Sequence, residues 1–168
     1  MKTKHLTLLA MFTTVALTIF VAEAAIPPLL PIPGIKLGLA NIVTLWLLLC
    51  CIWKDAFCVL ILRILLGSIF AGQILSFTYS LTGGIFCLVI MVFFHKVFGK
   101  KYIVLTSILV AIFHNIGQLL VALFLFRSIS ILSYFPILFI SGVTAGIFSG
   151  LCAKYSYRRI QHLLRSFQ

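Results

Sequence analysis

The sequence predicts an all-α integral membrane protein: one bundle of six transmembrane helices with both termini in the cytoplasm. Three observations predict it. The 168 residues are 63% hydrophobic and only 9% charged, with a mean hydropathy of +1.27, whereas a water-soluble domain is ~45–50% apolar and ~25% charged. The apolar stretches run about 17–25 residues, the length a helix needs to cross about 30 Å of hydrocarbon. They also lack the polar alternation of barrel strands, and a helix pairs its backbone polar groups internally, as lipid requires.

The spans read as 6–25, 37–53, 56–76, 81–98, 102–126 and 134–153, and each break has a chemical cause. Pro27, Pro28, Pro31 and Pro33, followed by Gly34, end the first. Lys54 and Asp55 separate the second from the third. Ser76 to Gly84 is polar and holds a glycine pair; His95 to Lys101 carries three lysines and Gly99; Arg127 to Ser133 precedes the sixth, with Pro136 just inside its start. Residues 1–168 thus form a single transmembrane domain, with 154–168 as a basic cytoplasmic tail. Within that tail Tyr157, Ile160, Leu164 and Phe167 share one helical face, as in a basic amphipathic helix on the inner leaflet. An alternative is a frayed end bearing positive-inside charges.

Lysine and arginine placement sets the orientation. With the N-terminus inside, the cytoplasmic segments hold Lys2, Lys4, Lys54, Lys96, Lys100, Lys101, Lys154, Arg158, Arg159 and Arg165. The outer segments hold Lys36 and Arg127, and Arg63 lies within the third span. The net charge of +11 therefore marks the inner membrane surface and not a nucleic-acid face. Ala22-Glu23-Ala24 after an apolar run also resembles a signal-peptide cleavage site, but the run is longer than an ordinary one and proline-rich apolar sequence follows it. Cys50, Cys51, Cys58, Cys87 and Cys152 form no CxxC pair and read as small buried hydrophobes.

Charged and polar groups inside a membrane are costly and are candidates for function. The chain has only two acids, Glu23 and Asp55. Asp55 beside Lys54 reads as a loop pair. Glu23, near the outer end of the first helix, is expected to face protein or a cavity. With Lys36, Asn41, Gln73, His114, Asn115 and Gln118 it outlines an outward-facing substrate pocket; the competing reading is that such side chains cross-link helices. His114 and Gln118, four apart, share a helix face. Two rows of small residues suggest close packing: Ala10, Thr14, Thr18 and Ala22 on the first helix, and Gly142, Gly146 and Gly150 on the sixth. The first row is a candidate partner-docking face, together with Arg63, for which the alternatives are snorkelling to the inner interface or holding carbonyls of a neighbouring helix; the second is a candidate helix-packing face. The apolar first loop, Ile26 to Lys36, is expected to fold back as a lid.

Four segments carry a resemblance spread over most of the chain. They are Pro33-Gly34-Ile35-Lys36-Leu37-Gly38-Leu39-Ala40-Asn41, Arg63-Ile64-Leu65-Leu66-Gly67-Ser68, Ser80-Leu81-Thr82-Gly83-Gly84 and Phe113-His114-Asn115-Ile116-Gly117-Gln118-Leu119-Leu120. They resemble the Gx transporter family, also labelled heptaprenyl diphosphate synthase component I, which is similar to the substrate-binding S components of energy-coupling factor (ECF) transporters. The resemblance implies a bacterial cell-membrane protein with a six-helix bundle, an outward pocket under a first-loop lid, and docking on a transmembrane coupling subunit and cytoplasmic ATPases. The implied ligand is a prenyl or quinone precursor or another small metabolite. Docking in such proteins uses small residues spaced by four, commonly alanines; here the row is Ala-Thr-Thr-Ala.

The alternative is a non-catalytic membrane subunit in heptaprenyl diphosphate or menaquinone synthesis, or one attached to a membrane electron-transfer system. Prenyl diphosphate synthases hold magnesium with clustered aspartates, since hard cations need oxygen ligands; two isolated acids do not supply this. There is no GxxxxGK[ST] phosphate loop, and His114 has no evident nucleophile or acid partner. The sequence is therefore expected to be no enzyme, with no catalytic residues, no metal and no cofactor.

Overall fold

The computed structural model describes residues 3–25, 38–50, 53–71 and 74–166. Within them are six α-helices: α1 (Thr3–Ala24), α2 (Asn41–Cys50), α3 (Trp53–Ala71), α4 (Ile74–Phe98), α5 (Ile103–Phe126) and α6 (Phe135–Ser166). Short 3-10 turns, Gly99–Tyr102 and Ile129–Tyr134, join α4 to α5 and α5 to α6. Threonines are tolerated in the apolar α1 because their hydroxyls return to the helix's own carbonyls. Thr13 donates to Leu9, Thr14 to Ala10 and Thr18 to Thr14 at 2.8–3.0 Å.

Four stretches are long and apolar enough to cross a membrane: His5–Ala24, Leu75–Phe98, Ile103–Phe126 and Ile129–Arg159. Large apolar side chains point outward along the helices, among them Ile69, Phe70 and Phe124, as a lipid-facing surface requires. Three differences from the sequence reading have physical causes. Among the described residues the second helix is short: its 10 residues cover ~15 Å, and the chain enters it by a turn at Gly38, where φ is +77°. Ser76 to Gly84 is no break but part of α4; Gly83 and Gly84 make room for neighbours, since a Cβ on Gly84 would stand 3.1 Å from Leu60 and Ile64 of α3. The sixth helix continues without interruption to Ser166, and Tyr157 is buried in the core.

The helices pack in two halves. In one, α1 and α3 run parallel: His5 meets Asp55 at one end at 3.1 Å, and Phe20 lies over Gly67 at the other. Asp55 thus pairs with His5 rather than with the adjacent Lys54. Leu9, Ala16, Val43, Leu47, Val59, Leu60 and Ile64 form the apolar core between α1, α2 and α3. In the other half, α5 and α6 run antiparallel through the glycine row. A Cβ on Gly142 would stand 3.4 Å from Ile112 Cα, one on Gly146 2.6 Å from Ile108 Cα, and one on Gly150 2.9 Å from Val104 Cα. The small residues let the two backbones approach within side-chain distance. Between the halves α4 packs along α5, with Tyr79 beside Leu119 and Ala122 and Met91 beside Ile103 and Val110.

Candidate functional site: a polar centre at mid-bundle

The short α2 places its first residues deep in the bundle, where an entering chain exposes unpaired amides. Glu23, at the end of α1 and 6% exposed, answers them. One carboxylate oxygen accepts the Gly38 N–H, and the other accepts the Leu39 N–H at 2.9 Å. A negative charge at a helix start is also favoured by the helix dipole. The turn is closed by the Asn41 N–H donating to the Gly38 carbonyl at 3.0 Å.

Asn41 then reaches α3. Its side-chain oxygen accepts a hydrogen bond from Nη2 of Arg63. Arg63 sits near the middle of α3 and is 3% exposed, so the expectation that it serves a partner-docking surface is corrected: it faces the interior, held there by Asn41. Its Nε and Nη1 have no hydrogen-bond partner.

His114, halfway along α5, is buried in the same region. Its ring lies between two glycines from different elements. A Cβ on Gly38 would stand 2.8 Å from Cδ2, and a Cβ on Gly83 2.8 Å from Cε1 and Nδ1. Gln118, one turn further on, places its side-chain nitrogen 3.1 Å from His114 Nε2. With the amide as donor, the imidazole proton belongs on Nδ1. Four segments distant in sequence, at Gly38–Asn41, Arg63, Gly83 and His114–Gln118, thus converge on one polar centre.

Asn115 departs from that group. Its side-chain nitrogen donates to the Leu138 carbonyl of α6 at 2.7 Å, so it serves the α5–α6 contact, as do the Ser107 and Ser149 hydroxyls, 2.8 Å apart. A narrow cavity of about 10 Å³ joins the two regions, lined by Gly38, Asn41, Leu45, Ser107 and Ser149 among others; it has room for about one water. Lys36, Gln73 and the loop 26–37 lie outside the described residues. On the surface, Ala10, Thr14, Thr18 and Ala22 are all exposed, next to an apolar groove lined by Thr7, Leu8, Met11 and Phe12.

Reasoning from sequence missed three features of this centre: the capping role of Glu23, the two glycines that clamp His114, and the Ser107–Ser149 pair. Only the first left a signal, an acid placed before a proline-rich entry into a helix. The two acids are also far apart. Glu23 and His5, which binds Asp55, are 18 residues apart on α1, ~27 Å, so they cannot share a magnesium-bound diphosphate.

No curated protein and no solved structure matches the chain. A family model described as heptaprenyl diphosphate synthase component I matches residues 12–156, from α1 to α6, and so takes in every residue of the polar centre. By that match the chain belongs to the heptaprenyl diphosphate synthase component I family.

Proposed function

We propose that the chain is a non-catalytic, membrane-embedded component that binds a small molecule at its polar centre and acts through a separately encoded partner. The observation that carries the reading is the burial of Arg63, Asn41, His114 and Gln118 together at mid-bundle. Polar groups at that depth are costly, and helix packing alone is served elsewhere by glycines. No pair of acids is close enough for metal-assisted diphosphate chemistry, so catalysis belongs to the partner. The family description favours a prenyl diphosphate synthase subunit as that partner, with a prenyl or quinone precursor as ligand.

A second reading is a substrate-capture subunit of an ATP-driven importer, docked on a coupling subunit and cytoplasmic ATPases. The exposed row Ala10, Thr14, Thr18 and Ala22 favours it, because small residues spaced by four accept a close-packed partner helix. In either case the chain lies in the cell membrane with both termini cytoplasmic, as its lysines and arginines favour. Affinity purification in mild detergent followed by protein mass spectrometry separates the two. A soluble prenyl synthase without ATPases establishes the accessory component. A coupling protein with paired ATPases establishes the importer. Recovery of neither class, from correctly inserted protein at native abundance, contradicts both.

A further inference from the structure

Arg63 is the only buried Lys or Arg among the described residues, and no acid pairs with it directly there. Arginine stays protonated in proteins, and a buried cation without an ionic partner is strongly unfavourable. Among the described residues its hydrogen bond goes to Asn41, a neutral acceptor. The Nε and Nη1 donors remain unused while fully enclosed. The nearest acid by connectivity is Glu23, whose two oxygens are engaged by the Gly38 and Leu39 amides. Those bonds hold the same turn that presents Asn41 to Arg63.

Guanidinium donors match the oxygens of carboxylates and phosphates, and the charge balance chooses between them. One carboxylate adds a single negative charge to a centre that already holds Glu23, the smallest anionic increment. A diphosphate brings at least two, beside a Glu23 that is already negative, with no acid pair able to hold a bridging magnesium. The residues flanking Arg63 on α3, Val59, Leu60 and Ile64, belong to an apolar core, which solvates no further charge. We infer that the polar centre recognises its ligand through a single carboxylate held by Arg63. This deepens, and rests on, the reading of the centre as a ligand site.

The test uses the full chain in lipid nanodiscs and three probes of equal length: hexanoate, hexanol and hexyl phosphate. Thermal unfolding and calorimetric titration read binding. Hexanoate is expected to raise the unfolding temperature of the wild type at concentrations where hexanol does not, and to bind more tightly than hexyl phosphate. Arg63→Gln, which keeps a donor for Asn41, is expected to weaken hexanoate at least about tenfold, the effect of losing a charged hydrogen-bond donor; Arg63→Lys retains part of it. Equal responses to hexanoate and hexanol, stronger binding of hexyl phosphate, or an undiminished response in Arg63→Gln each overturn the inference. If Arg63→Gln does not fold, the ranking of the three probes on the wild type decides alone. A response to all three probes that His114→Ala abolishes overturns the carboxylate while sparing the ligand site. An equal response in wild type and His114→Ala removes the site itself.

Discussion

At Gly146 the α5 and α6 backbones come so close that a methyl group would stand 2.6 Å from the Cα of Ile108. In the opposite half, α1, α2 and α3 are joined through Glu23, Asn41 and Arg63, where charges and amides do what glycine does across the bundle. The glycine contact carries no charge, and its buried orphan atoms, Thr106 Oγ1 and Asn115 Oδ1, are neutral. The charged contact differs, since Arg63 keeps donors without partners. On the proposed reading, the α5–α6 half is scaffold, and the α1–α3 half, with the facing side of His114, is where a ligand completes the open donors.

Substitutions can break or sharpen that division. The largest effect is expected at the scaffold. Gly146→Leu meets backbone rather than a movable side chain and should destabilise the protein by about 3 kcal/mol or more, measured by denaturation in mixed micelles. Gly38→Ala comes next. It forces an L side chain to φ +77° and into His114, so a cost of about 2 kcal/mol is expected, accompanied by lost ligand binding, which Gly146→Ala should not match at equal stability. Glu23→Gln removes the charge that caps α2 and is expected to cost about 1–2 kcal/mol, read as faster hydrogen exchange at the Gly38 and Leu39 amides. The smallest is Ser149→Ala, about 0.6 kcal/mol, typical for a hydrogen bond between membrane helices. Should Ser149→Ala exceed Glu23→Gln, the division between the halves fails.

Much of this was legible in the sequence, and what was not has identifiable causes. Hydropathy placed six helices because apolar length is a property of one segment at a time. It overran at the start of α2, since Leu37 to Ala40 are as apolar as the helix they lead into. It split α4 at Gly83 and Gly84 because glycine marks both turns and close contacts, and only the neighbours, His114 and Ile64, distinguish them. His114 and Gln118 were linked by helical spacing. Asn115, their neighbour in sequence, was grouped with them, yet its position on the helix turns it toward Leu138. For Arg63 the sequence leaves open the inner interface, a partner subunit or a neighbouring helix, because a lone charge in a membrane helix satisfies any of the three. Its bond to Asn41, across 22 positions, has no signature in local pattern.

The most direct measurement is small-molecule mass spectrometry of what leaves the protein when it is purified gently from its native membrane and then denatured. Wild type and His114→Ala would be compared at equal amount and equal folded fraction. The account predicts a small molecule enriched with the wild type and absent from His114→Ala, while Gly150→Ala, altered in the α5–α6 contact, retains it. The same molecules in equal amount from wild type and His114→Ala would contradict the claim that the polar centre is a binding site.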